Sequence, residues 1–220
     1  KELKIGTKTI VEAVPTVASA SCFFIYQLSF NEESHSIIEE CVGDALTALM
    51  TRLESITNLT TENILLRENI LRAIASIGYY ILSDNFPVEE TMELILKSLP
   101  ITKKIKCNAV VYKFLNSISA KCFALGTEAQ MEYIRIYVWA ISHTISQLLV
   151  QMKIEQLVLW RMASILQQLL KMFPPEQDNE IIANFLNNDA YLLNCFNNSF
   201  ESLQNGINIY QEEVPEEALC

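Results

Sequence analysis

Apolar and polar positions alternate along this chain with a helical period almost from one end to the other. Between Thr60 and about Leu82, Ile70, Ile74, Ile77 and Ile81 step by four, three and four residues. That spacing lines them along one stripe of a 3.6-residue helix, widened by Leu71, Ala75 and Gly78. A capping hydroxyl at Thr60-Thr61 and an acid at Glu62 mark its start. The segment "SDNFPVEE" then predicts a turn, with Pro87 at the first position of a second helix that runs to about Leu99 and is closed by Pro100.

The same alternation continues. Val111, Leu115, Ile118 and Cys122 share a face of a helix predicted over 102–121. Thr127 with Gln130 resembles a capping box. After it, Met131, Ile134, Val138, Ile141, Ile145 and Leu148 form a long seam. A turn is expected between Ser146 and Lys153, because one unbroken helix to Phe173 would be about 70 Å long. Val158, Met162, Ile165, Leu169 and Met172 stripe the helix that Pro174-Pro175 ends. Asp178–Leu186 and Asp189–Leu203 read as two shorter helices before an acidic tail over 205–220.

These helices pair, and the first members start near 18, 61, 103 and 150, a spacing of about 42 to 47 residues that is the period of HEAT-type helical hairpins. The expected fold is therefore all-α, a right-handed α-solenoid of about five hairpins over residues 1–204. An up-down bundle would show the same helices without the period.

The uncharged run from Ala13 to Asn31 raises the question of a membrane span. Pro15, Thr16, Ser19, Ser21, Gln27 and Ser29 would be costly against lipid, so no membrane insertion is expected. Ala18, Ser19, Ala20 and Ser21 followed by Phe23, Phe24, Tyr26 and Leu28 suit a helix pressed between neighbours, begun or kinked at Pro15. Its lack of charge and the initial Lys1 point to a segment of a longer protein, whose preceding repeats would cover part of this helix.

Composition sharpens this picture. Half of the 220 residues are apolar and only five are glycine, which suits helices and a sizeable core. The net charge of −10 would repel a phosphate backbone, so basic protein segments rather than nucleic acid are the expected partners. Cysteines 22, 41, 107, 122, 195 and 220 contain no CxxC pair, so no metal site is expected and they read as buried thiols. The sequons at Asn58 and Asn197 are of a kind common by chance. Neither His35 nor His143 has a nucleophile partner in its sequence context, and no phosphate loop, HExxH or GxSxG occurs. No catalytic residue and no cofactor is expected, and the reading is not an enzyme. Tyr133, Tyr137 and Trp139 share the long seam and read as packing aromatics, with an apolar ligand pocket as the alternative.

Several markers add a resemblance. Glu68-Asn69 followed by Ala73 and Ala75, then Val88-Glu89-Glu90 and Leu99-Pro100-Ile101, occur in the order and spacing of two successive helices in one known family. With "YIRIYVWAISHTI" and "LVLWRMASILQQLLKMFPPEQ" downstream, the chain over roughly 16–204 resembles the carboxy-terminal HEAT repeats of the importin-beta superfamily, closest to the karyopherin beta-3 type. Lys103, Lys104 and Lys106 stand where that family usually carries an acidic cluster, which puts its cargo preference in doubt here.

The resemblance implies a nuclear transport receptor, working in cytoplasm and nucleus. It would bind protein cargo, Ran-GTP through amino-terminal repeats outside this sequence, and nucleoporin FG repeats. A HEAT or armadillo-type scaffold of another assembly is the alternative. In such a solenoid the second helices of the hairpins line the concave side, which makes Glu40, Asp44, Glu90, Glu93, Glu128 and Glu132 the candidate cargo-facing residues, matched to basic segments.

Overall fold

The computed structural model describes residues 8–99, 101, 103 and 109–123, with single positions or short runs at 138, 140–142, 144–145, 162, 165–166, 171, 180, 182–184, 188–191, 193–194 and 197–198. Among the described residues every regular element is helical and none is a strand. Residues 8–12 are helical. They are followed by α1 (Pro15–Phe30), α2 (His35–Glu39), α3 (Val42–Glu54), α4 (Thr61–Ser76), α5 (Val88–Lys97) and α6 (Ala109–Phe123). The chain divides into two compact units, Lys1–Ser98 and Leu99–Cys220.

In the first unit, α1 lies against α4 in its most extensive helix contact, and α3 packs on both α4 and α5. The partners are offset alike: Pro15 to Thr61 and Val42 to Val88 are both about 46 residues apart. First helix thus meets first helix and second meets second. Pro15 stands at the start of α1, where its missing N–H removes no helix bond. The buried residues of α1 are Ala18, Cys22, Ile25, Tyr26 and Ser29, one seam at helical spacing. The opposite stripe is open, with Phe23 44% and Phe24 56% exposed and Val17 exposed too, in keeping with the open apolar surface expected on part of this helix. One stripe meets α4 and the other faces solvent.

By contrast α4 is buried almost all round from Ile70 onward, including Leu71, Ala73, Ile74, Ala75 and Ser76. Two charged side chains lie within it, Glu68 at 1% and Arg72 at 2% exposure. The Arg72 guanidinium stands 5.5 Å from the centre of the buried Tyr26 ring, a cation–π contact that ties α4 to α1. Burial, opposed by the neighbouring Glu68 charge, lowers the pKa of Arg67.

Helix ends follow from local chemistry. The Thr60 hydroxyl oxygen accepts from the Asn63 backbone N–H at 3.3 Å, as expected of a cap. The Asn63 side-chain amide donates back to Asn58, through its carbonyl at 3.3 Å and its side-chain oxygen. At the far end of α1, Ser29 donates to the Ile25 carbonyl at 2.9 Å, and its own carbonyl accepts from His35 Nε2 at 2.8 Å. His35 is thus a capping residue.

Past Ser76 the helix widens into a π turn over Ile77–Leu82, ended by Ser83 with φ 42°. The wider turn shifts the register, so Ile77 is buried whereas Ile81, expected on the same stripe, is only half-buried. Here Tyr80 meets Phe30 edge to face, ring centres 5.6 Å apart. Pro87, expected inside the next helix, is instead its N-cap with ψ 79°.

In the second unit, Lys103 sits in a bend rather than in the helix expected from Thr102, and the helix is described over Ala109–Phe123. Val111, Leu115 and Ile118 are buried as their spacing predicts. Val138, Ile141 and Ile145 are buried, as are Met162 and Ile165. Asn188, at φ 55°, donates its N–H to the Ala183 carbonyl, and Asp189 Oδ1 accepts from the Tyr191 N–H at 2.9 Å. That junction separates the two short helices where the sequence places it. The turn at 146–153, the box at Thr127 and the tail over 205–220 lie outside the described residues.

One polar contact bridges distant parts of the first unit. Arg52 donates Nη1–H to the Val11 carbonyl and Nη2–H to the Ala13 carbonyl, both at 3.1 Å. It satisfies carbonyls at the end of the 8–12 helical turn and draws that turn onto α3. Arg52→Met, which keeps the stem and removes both bonds, is expected to lower unfolding stability by about 1–3 kcal/mol in urea melts.

Candidate functional site

The outward stripe of α3 follows the same helical period as its core. Ala45, Leu46, Ala48, Leu49 and Leu53 are buried, while Gly43, Thr47, Thr51 and Glu54 come around on the opposite side at three- and four-residue steps. On α5, Thr91, Met92, Ile95 and Leu96 are buried, and Glu90, Glu93 and Lys97 stay at the surface. Since α3 and α5 pack side by side, the two outward stripes enclose an open groove of about 640 Å³. Leu46, Met50, Pro87 and Leu94 give it apolar lining, and Glu54, Glu90, Glu93 and Lys97 add the charges.

Those charges do not balance. Lys97 is ion-paired with Glu93, one turn earlier on α5. Glu54 and Glu90 have no ion-pair partner among the described residues. Arg52, although it shares α3 with Glu54, spends two N–H groups on the Val11 and Ala13 carbonyls instead. Of the three groove threonines, Thr51 donates to the Thr47 carbonyl at 2.8 Å and Thr91 to the Pro87 carbonyl at 2.7 Å, which leaves their hydroxyl oxygens as acceptors. What remains is an apolar trough with carboxylate acceptors, a setting suited to a cationic, donor-bearing guest.

The six acidic residues singled out from the sequence fare differently. Glu90 and Glu93 line the groove together. Asp44 is exposed in the first turn of α3, next to Gly43 on the flank of the groove stripe. Glu40 is exposed but lies on no second helix; it terminates α2, because the chain turns at Cys41 before α3 begins. Glu128 and Glu132 lie outside the described residues, as do Tyr133, Tyr137 and Trp139. Sequence reasoning missed Glu54, Gly43 and Met50. The ladder 43–47–51–54 of small, polar and acidic residues beside a buried stripe was the available signal.

The two described thiols differ in setting. Burial pushes the Cys22 thiol up to about 12, against the smaller opposing effect of Arg52, which makes it an inert core group. Cys41, partly open beside the groove flank, is raised first by burial and then by the charges of Asp44 and Glu40. Among the described residues no group of three or more His, Cys, Asp or Glu is placed to hold a metal ion, and no helix is long and apolar enough to cross a membrane.

No protein-family model, curated protein or solved structure matches the chain.

The negative field around Cys41 can be read out chemically. Neutralising both neighbours with Glu40→Gln and Asp44→Asn should lower the thiol's pKa and speed its alkylation by iodoacetamide at pH 8 about twofold, followed by mass spectrometry. An unchanged rate would place those charges too far away to act.

Proposed function

We propose that the chain is a segment of a helical-repeat carrier of protein cargo, of the nuclear transport receptor kind, and that the α3–α5 groove takes a Lys/Arg-rich stretch of that cargo. The observation that carries the reading is the excess of carboxylate over the apolar trough, with Glu54 and Glu90 unpaired among the described residues. Two further points support it. First helix on first helix and second on second, at offsets of about 46 residues, is the layout of stacked hairpins of the HEAT kind. The markers around Glu68-Asn69 and Val88-Glu89-Glu90 resemble the importin-beta superfamily.

On this reading a right-handed α-solenoid of about five hairpins offers its second helices to the partner. Each hairpin touches only its neighbours, so curvature adjusts as cargo and Ran-GTP exchange. Contact with FG-repeat nucleoporins and passage between cytoplasm and nucleus belong to the same proposal. A basic segment is drawn in by potential and held by charge-assisted hydrogen bonds to Glu54 and Glu90.

Glu90→Lys should weaken binding of a Lys/Arg-rich peptide by about fivefold to tenfold in fluorescence anisotropy, with a shallower salt dependence than the wild type. Affinity that does not change would remove the groove from the site. The carrier reading is separable from a static scaffold: the full-length protein should be retained on immobilised Ran-GTP and not on Ran-GDP, and equal or no retention would sink it.

A further inference from the structure

The outer stripe of α1 presents a continuous apolar set to solvent. Val17, Phe23 and Phe24 are exposed, with Thr16, Ala20 and Gln27 exposed between and beside them. A single open apolar side chain is ordinary on any surface, but these adjoin one another at helical spacing. Phe23 is also held in place, its ring centre 6.1 Å from that of the buried Tyr26. Ser21 donates to the Val17 carbonyl at 3.3 Å, so its hydroxyl can be covered without losing that bond.

Side-chain size changes along the stripe in one direction. Thr16, Val17 and Ala20 occupy its first half, and the rings of Phe23 and Phe24 its second. A copy of the same stripe laid antiparallel, with a two-fold axis at Ala20, sets large against small: Phe24 at the level of the other copy's Thr16, and Phe23 at the level of its Val17. A parallel pairing would set ring on ring instead. On its inner side α1 already packs through short side chains, Ala18 and Cys22, against α4.

Charge favours the same direction. A net charge of −10 opposes contact between two copies of the chain, yet Pro15–Phe30 carries none of it. Glu32 and Glu33 follow the carboxy-terminal end of α1, whereas its first turn holds no acid and presents the positive end of the helix dipole. Antiparallel pairing brings each acidic end beside the other copy's positive end.

We propose that α1 is a self-association surface, through which two copies of the chain pair by their outer stripes, antiparallel about Ala20. The inference goes beyond the carrier reading and needs none of it. One helix face is well below the roughly 800 Å² a side of a standard interface, so the dimer is weak, with a dissociation constant on the order of 10–100 µM.

Sedimentation velocity on the full chain from about 1 to 300 µM should show monomer giving way to dimer, with little change at high salt. Phe24→Asp, at an exposed position, should leave the melting temperature at low concentration unchanged and weaken association about thirtyfold, because symmetry counts the change twice. Ala20→Cys should form a dimer linked between the two introduced thiols on mild oxidation, read by mass spectrometry, since a residue on the axis meets its own counterpart. Phe24→Cys should not link to itself, its two copies lying about 12 Å apart along the helices.

A chain that stays monomeric through this range would overturn the proposal, and alkylation of the thiol in Phe24→Cys would then tell an open stripe from one covered by another segment of the same chain. A dimer that survives Phe24→Asp would place association elsewhere and overturn it too. Self-linking of Phe24→Cys as readily as of Ala20→Cys would overturn the antiparallel pairing.

Discussion

The close seating of α1 on α4 is the contact on which the geometry of the first unit depends. It joins a stripe of Ala18, Cys22, Ile25 and Ser29 to a helix rich in Ala73, Ala75 and Ser76, side chains short enough for two backbones to approach. Burying Arg72 within such a layer is expensive, and its placement over the Tyr26 ring offsets part of that cost while fixing how the helices register. The links between successive long helices run over 31–41, which includes α2, over 55–60 and over 83–87. The spacing of α1 and α4 therefore constrains that of α3 and α5, and with it the width of the groove.

The two groove helices divide their residues between an inner face that is buried and an outer face that lines the groove. The inner stripes carry Leu49, Leu53, Ile95 and Leu96, each of which contributes roughly 1.5–3 kcal/mol through burial. The outer stripes carry residues that fold formation barely uses: a helical glycine, a half-covered methionine, and Glu54 and Glu90, which have no ion-pair partner among the described residues. Arg52 is the instructive exception. It is engaged by the carbonyls of Val11 and Ala13 and adds no positive charge to the groove lining.

Much of this was legible in the residues. The stepping of Ile70, Ile74 and Ile77, the Thr60 cap, the start at Pro15 and the junction at Asn188–Asp189 each obey local rules that operate within a few residues. What escaped depended on partners far away in the chain. Nothing local says that Glu68 and Arg72, ordinary residues for a helix surface, lie in a layer covered on nearly every side. Glu40 reads as part of a second helix because the pattern across Ser34 to Ala45 gives no Gly or Pro stop before Gly43, whereas the chain breaks at Cys41. Glu90 and Glu93 were visible as acids, but Glu54 completes their groove only because α3 and α5 lie side by side.

The π turn over Ile77–Leu82 has a consequence for how this chain can tolerate insertions and deletions. Such a turn amounts to one residue more than the regular helix needs, and each residue rotates the downstream helix by about 100°. Losing one residue there would let the backbone relax into a plain helix and free Ser83 from its left-handed conformation. The same loss would swing Tyr79 and Tyr80 around the axis and away from Phe30, undoing the aromatic packing at the end of α1. Backbone regularity and side-chain registration pull in opposite directions at this point, so length in this short stretch is held by its aromatic rings rather than by its hydrogen bonds.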